Sequence, residues 1–363
     1  MPYKLLLALS MTSALSTFAF AESNDLPSSP SLSEVYGLYQ QAVVDKDATQ
    51  ALVLARQAHE IGLSSLNEMD ITLAYLKMNL ANLLISEQQD IDQVEPLFEQ
   101  SLAIYRHVHK DDAIELIDPL LALGEATKDS KLAKVLFDEA LDITEDAGNP
   151  VLHANVLMAA FNSLVNTRYY SRSVSRYPSK ALVIYEQHVP ENAEARIEAT
   201  FLAAKVKQAH GDLKDAAEHF DVVIKSVKGL GYTHPYELAS HAQLVSVYEQ
   251  LGKREVATQH CLAIGAMQPW DMNQDQLPLH RVHPDYPLSY AQRSKEGWVQ
   301  MELVIDENGF VRDITIEDSH GGSKFEKEAI KAVKQWRYAP KFENGKAVSA
   351  TTRTRLDYTL SRS

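Results

Sequence analysis

Across residues 31–267 apolar side chains recur three and four positions apart, as in Ala51, Leu54, Ala58 and Ile61, and again in Ile71, Tyr75, Met78 and Leu83. That spacing puts each set on one side of an amphipathic helix. The stretches EPLFEQSLAIY, AKVLFDEALDI, PSKALVIYEQ, AAEHFDVVIKS and VATQHCLAIGA echo one another. Aligned on Leu102, Leu141, Leu182, Val223 and Leu262, they are 39, 41, 41 and 39 residues apart. A period of that size accommodates two helices and their turns, which predicts a solenoid of helical hairpins. Helix stops are expected at Gly148-Asn149-Pro150, Gly211-Asp212, Gly229 to Gly231 and Leu251-Gly252-Lys253, where glycine can take the left-handed cap position. Asp118-Pro119 either kinks a helix or starts a new one.

The pattern changes after residue 267. Residues 268–282 contain Pro269 and Pro278 with no sustained periodicity, and read as a linker that spaces two domains. Val299, Met301, Leu303 and Ile305 then alternate with polar neighbours. Phe310, Ile314 and Ile316 do so in a second run, with Val311 on the other face. Two strands are predicted, joined through Asp306-Glu307-Asn308-Gly309 as an antiparallel hairpin, because both residues of Asn-Gly tolerate positive φ. Phe325, Ala329, Ala332, Val333 and Trp336 share one helical face, with Ser323 expected to cap the helix and Glu326 to complete a capping box. A last strand, Thr351 to Leu360, is expected to turn Leu356, Tyr358 and Leu360 inward and Arg353, Arg355 and Asp357 outward. The fold class is therefore a mainly α solenoid followed by a small α+β module over 283–361, whose unpaired sheet edge is a ready acceptor for another chain's strand.

The first residues add an expectation about location. Lys4 precedes an apolar run from Leu5 to Phe20 that is diluted by Ser10, Thr12, Ser13, Ser16 and Thr17, with small residues at Ala19 and Ala21. This reads as a signal peptide over 1–21, followed by a disordered stretch over 22–30; the run is short of the ~20 apolar residues a spanning helix needs. Cys261 is the only cysteine, so there is no intrachain disulfide, and its apolar neighbours make it a small core residue. Net charge is −14 and unevenly divided: residues 22–275 hold 20 Lys plus Arg against 37 Asp plus Glu, whereas 276–363 hold 14 against 12. An acidic solenoid argues against nucleic acid or anionic lipid as the main partner of the large domain.

Motifs for catalysis are absent: there is no glycine-rich phosphate loop, no paired cysteine, no HExxH and no GxSxG. His280 and His283 form a lone HxxH, which is too little for a metal centre. No enzyme activity, metal or cofactor is expected. One local departure from the acidic pattern is RYYSRSVSRYPSK, in which Arg168, Arg172, Arg176 and Lys180 recur every fourth residue. On a helix they would form one stripe, with Pro178 limiting the helix; they read either as a solvated face or complement to the acidic helices, or as a candidate patch for a partner of the solenoid.

AKVKQAHGDLKDAAEHFDVVIK and LVSVYEQLGKREVATQHCLAI resemble tetratricopeptide repeats, a class that binds proteins or peptides. The segment HPDYPLSYAQRSKEGWVQMELVIDENGFVRDITIEDSHGGSKFEKEAIKAVKQWRYAPKFENGKAV resembles the TonB C-terminal domain. The likeness rests on Tyr286-Pro287, Ala291, Gly297, Gly309 with Val311, Phe325 with Ala329, and Trp336-Arg337-Tyr338-Ala339-Pro340 before Gly345. The resemblance implies a periplasmic domain that pairs its edge strand with a segment of an outer-membrane receptor. Carried over by position, Thr351, Arg353, Arg355 and Asp357 would lie on that edge, with Tyr286 and Pro287 at or near the contact, whereas Trp336 and Phe325 read as core. Two readings follow. One is a soluble periplasmic adaptor whose repeats hold a second protein or peptide. The other is an inner-membrane, single-pass transducer that engages an ExbB/ExbD-type motor. A mature N-terminus at Glu22 marks the first and one at Met1 the second.

Overall fold

The computed structural model of the chain describes residues 30–228, 233–267 and 276–360. The expected signal peptide, the stop at Gly229 to Gly231 and residues 268–275 lie outside them. The chain divides into two compact units between Ile104 and Tyr105.

The first unit contains α1 (Leu32–Val44), α2 (Ala48–Ser65), α3 (Ile71–Ser86) and the start of α4 (Val94–Val108). Ser31 and Glu34 form a reciprocal capping box on α1, and Asp47 and Asp70 accept backbone N–H groups at the starts of α2 and α3. These side chains satisfy donors that a helix start leaves without partners. Val35, Ala42, Ala51, Leu54, Ala58 and Leu76 form the core of this unit.

In the second unit a short 3-10 turn leads into α5 (Ile117–Ala126), followed by α6 (Ser130–Asp146), α7 (Pro150–Leu164) and α8 (Tyr177–His188). Then come α9 (Glu194–His210), α10 (Leu213–Val227), α11 (Pro235–Gln250) and α12 (Arg254–Met267). Each helix from α5 onward packs on the next, the stacking of a helical-hairpin solenoid. Leu141, Leu182, Val223 and Leu262 fall in α6, α8, α10 and α12, so the sequence period marks the second helix of each hairpin. Gly148, Gly211 and Gly252 take positive φ at the expected stops. Asp118-Pro119 starts a helix: Pro119 lies in the first turn of α5, where no intrahelical N–H is needed.

The C-terminal module runs β1 (Pro278–His280), α13 (Leu288–Ala291), β2 (Gly297–Ile305), β3 (Val311–His320), α14 (Ser323–Val333), β4 (Arg337–Tyr338), β5 (Lys341–Glu343), β6 (Lys346–Val348) and β7 (Ala350–Tyr358). Its main sheet has the order β3-β2-β7, antiparallel throughout, with α14 packed against it. Val299, Met301, Leu303, Ile305, Phe325, Ala329, Val333, Trp336 and Tyr358 are among its core residues.

Local details depart from the sequence expectation. Only Gly309 takes positive φ in the hairpin turn. Asp306 N–H donates to the Phe310 carbonyl and Gly309 N–H to the Asp306 carbonyl, so the turn is a three-residue loop ending in a left-handed glycine. A register shift follows: Val304 faces Asp313 while Ile305 faces Val311. The extra residue brings Val311, rather than Phe310, onto the core face with Ile314 and Ile316. Ser323 does not cap α14. Gly321 and Gly322 both take positive φ, Gly322 occupies the cap position without a side chain to offer, and Glu326 accepts from Ser319 Oγ at 2.6 Å. Leu360 lies beyond β7, and Thr352 is the buried residue that joins Tyr358 on its inner side. The β5–β6 hairpin, with Asn344 and Gly345 both at positive φ, is a turn of the Asn-Gly type that was not among the sequence expectations.

Candidate partner-binding edge and its buried anchor

Among the described residues β7 pairs on one side only, with β2, from Ala350↔Ile305 to Tyr358↔Gly297. Its other side is a sheet edge nine residues long. Alternation along the strand sends Thr351, Arg353, Arg355 and Asp357 to the open face of the sheet, and all four are exposed. On that face Arg353 Nε donates to Glu317 Oε1 at 2.8 Å and the Arg353 guanidinium lies 3.8 Å from Glu302, while Arg355 Nε donates to Asp357 at 2.9 Å. The Arg355 guanidinium also sits 4.3 Å from the centre of the Trp298 ring. These pairs tie the charged side chains of β7 to one another and to neighbouring strands of the sheet. On the inner side, Gln276 N–H donates to Thr352 Oγ1 at 3.1 Å, so the chain leading into β1 passes beside the start of β7.

Tyr286 and Pro287 have structural roles near one end of this edge. The Tyr286 hydroxyl donates to the Lys295 carbonyl at 2.6 Å, and its ring stands edge-on to Phe325 and Tyr358, at 5.4 and 5.8 Å. Pro287 caps α13. Phe325 and Trp336 are core residues, as expected, with Trp336 Nε1 donating to the Val282 carbonyl at 2.8 Å.

Sequence reasoning missed the residue that ties this module to the solenoid. Arg337 is 1% exposed. Its guanidinium pairs with Glu249 on α11. It also donates to Thr258 Oγ1 on α12 at 2.9 Å and to the Asn308 carbonyl at 3.1 Å, and it stacks 3.8 Å from the centre of the Phe310 ring. Around this ion pair Val245, Cys261, Ile264 and Ala339 form one apolar cluster, joined by Leu238, Ala242 and Leu279. Backbone approach is close here too: a Cβ on Gly265 of α12 would lie 2.6 Å from the Pro340 carbonyl oxygen, and one on Gly309 2.1 Å from that of Tyr338. The strand β1 pairs with β4 beside the ion pair, and His280 Nδ1 lies 3.2 Å from Ser246 Oγ on α11. Burial pushes the Cys261 thiol up to about 11, which makes it a packing residue and an unreactive thiol.

Residues 282–360 match the family described as the Gram-negative bacterial TonB protein C-terminal. This segment is similar to the TonB C-terminal family. Protein tonB2 of Pseudomonas aeruginosa is 29% identical over 82 residues, which are 23% of this chain and 30% of that protein's length. The solution structure of the Pseudomonas aeruginosa TonB C-terminal domain is 27% identical and is matched over 94% of its length and 25% of this chain, with a TM-score of 0.23. For the helical part, a signal-transduction ATPase with a tetratricopeptide repeat sensor from Pyrococcus horikoshii is similar over 65% of this chain and 38% of its own, at 12% identity and a TM-score of 0.50. That likeness is one of fold.

The TonB C-terminal domain is thus seated on the last repeat hairpin through Arg337, inside the Trp336-Arg337-Tyr338-Ala339-Pro340 run that marked the resemblance. Its partner Glu249 is 88 positions away in sequence, so no local pattern signals the pair. Elsewhere, Arg168 and Arg172 lie in the turns between α7 and α8, Arg176 in a 3-10 turn and Lys180 in α8. The four are not a stripe on one helix, because Pro178 occupies the first turn of α8 and begins it where it was expected to limit a helix. His280 is held on β1 and His283 is exposed; among the described residues no cluster of three or more metal-ligating side chains occurs.

Proposed function

We propose that this chain is a non-enzymatic periplasmic adaptor in TonB-dependent transport. Its TonB C-terminal domain captures an extended segment of an outer-membrane receptor along the free edge of β7, while the helical repeats hold a second protein or peptide. The observation that carries this reading is a nine-residue strand that, among the described residues, pairs on one side only, in a segment that matches the TonB C-terminal family. An extended segment added there gains main-chain hydrogen bonds along the strand. Thr351, Arg353, Arg355 and Asp357 flank it on the open face and Tyr286-Pro287 lie near its end, so they supply side-chain selectivity. The domain's seat on α11 and α12 supports the adaptor reading, since a captured receptor segment is then held in fixed relation to the adjacent repeats. Among the described residues no helix is long and apolar enough to cross a membrane.

The test is crosslinking in cells from photoreactive residues placed at Thr351 and, in a second strain, at Glu255 on α12. An outer-membrane receptor is expected from position 351 and not from position 255. Recovery of no outer-membrane protein from position 351 overturns strand capture.

A further inference from the structure

From Ala147 to Tyr185 the chain contains no Asp or Glu, although 49 acidic residues occur in the whole sequence. The stretch covers α7, its connection to α8, and α8 as far as Tyr185. It carries Arg168, Arg172, Arg176 and Lys180, all exposed. Among the described residues Arg172, Arg176 and Lys180 form no ion pair. Arg168 donates to the Tyr169 hydroxyl at 3.0 Å and lies over that ring, 5.0 Å from its centre. The basic residues therefore do not serve to neutralise the neighbouring acidic helices.

Their placement is ordered. Ser175 N–H donates to the Ser171 carbonyl at 2.9 Å and Arg176 N–H to the Ser173 carbonyl at 3.0 Å, winding this segment into turns that run on into α8. Arg172, Arg176 and Lys180 thus follow one another through a turn, a 3-10 turn and the start of α8, each of them exposed. Tyr170, in the same connection, is 40% exposed and edge-on to Phe161.

We propose that the α7–α8 hairpin is the docking site for a short acidic peptide segment of the partner held by the repeats. Carboxylates on such a segment meet unpaired guanidinium groups, which bind them through paired N–H donors. The flanking sequence limits the length of the partner. On one side α6 bears Asp138, Glu139, Asp142, Glu145 and Asp146. On the other, Glu186, Glu191 and Glu194 follow the stretch. An extended anionic surface would meet those carboxylates as well, whereas a short segment confined to the acid-free stretch escapes them. The inference deepens the adaptor reading and rests on it only for the existence of a second partner.

The test measures anisotropy of a fluorescein-labelled octaglutamate peptide binding to the full chain, with octaglutamine as the neutral probe. Arg172→Glu with Arg176→Glu is expected to weaken octaglutamate binding about tenfold or more. Lys110→Glu with Lys128→Glu, which changes net charge equally, leaves it within about threefold. Circular dichroism melting of both variants separates loss of the site from loss of fold. Three outcomes overturn the proposal: equal weakening by the two charge reversals, equally tight binding of octaglutamine, or binding of phosphatidylglycerol vesicles with none of octaglutamate. None of these readouts involves β7, so receptor capture and acidic-peptide docking fail independently.

Discussion

Glu198 on α9 is a glutamate whose chemistry departs from what its identity suggests. It is 6% exposed and receives one hydrogen bond, from Asn162 Nδ2 at 3.2 Å, and burial pushes its carboxyl up to about 7. In the unfolded chain a glutamate titrates near 4.3. Below that value the group is neutral in both states and costs nothing. As pH rises, the unfolded chain releases its proton first, so the folded state loses stability until the buried carboxyl also ionises near 7. Glu198→Gln keeps an oxygen for Asn162 and removes the titration. The variant is expected to melt with the wild type at pH 4 and to be more stable at pH 8 by about 1–3 kcal/mol, because each tenfold weakening of the carboxyl's acidity on folding is worth roughly 1.4 kcal/mol. Equal melting at both values disproves the assignment. Residues such as Cys261, Phe325 and Trp336 were legible in the sequence because apolar neighbours and helical phase announce burial. Glu198 was not, since a glutamate within an amphipathic helix reads as its solvated side and only the partner helix decides otherwise.

Among elements, the contact of α11 and α12 with the β-rich module contains one buried ion pair. Glu249 and Arg337 are buried in the pair, and Arg254 Nε lies 3.4 Å from the same carboxylate. Removing one member leaves the other charged and dry, which costs about 3–5 kcal/mol, whereas replacing both with apolar groups of similar size is far milder. Arg337→Ala is therefore expected to lower the melting temperature sharply, and Arg337→Met with Glu249→Leu to recover most of the loss. If the double variant melts no higher than Arg337→Ala, the ion pair is not the element that holds this contact. The elements themselves were largely readable. Repeat period, stop glycines and strand alternation all express local geometry, and the structure follows them for the helical hairpins, β2, β7 and α14. What the pattern could not carry was register: the residue inserted opposite Ile305 moves Val311 inward, and Gly322 displaces Ser323 from the cap, because both depend on how a turn closes in three dimensions. The Asn344-Gly345 turn was legible in principle, but the strands it joins are too short to show an alternation of their own.

Within the second unit, the last hairpin and the TonB C-terminal domain share an apolar cluster, a strand pair at β1–β4 and the Arg337 site. A domain resting on a partner through so much buried surface should not be indifferent to that partner's removal. Cut back to residues 282–360, it would expose Ala339 and place the Arg337 guanidinium in water without Glu249, Thr258 or the packing around them. It would also lose β1, and with it the pairing of β4. A fragment covering residues 233–360 retains all of these. The longer fragment is expected to unfold in one cooperative transition and to melt higher than the shorter one by at least several degrees, since a difference of 1 kcal/mol moves a domain of this size by about 4–8 °C. Hydrogen exchange supplies the complementary readout: amides of α12 and β2 should open together in the longer fragment, as they belong to one cooperative unit. Equal melting of the two fragments, with α12 exchanging independently of β2, would show that the hairpin is a passive neighbour. Joint opening would mean that load applied at the edge of β7 is carried into α11 and α12.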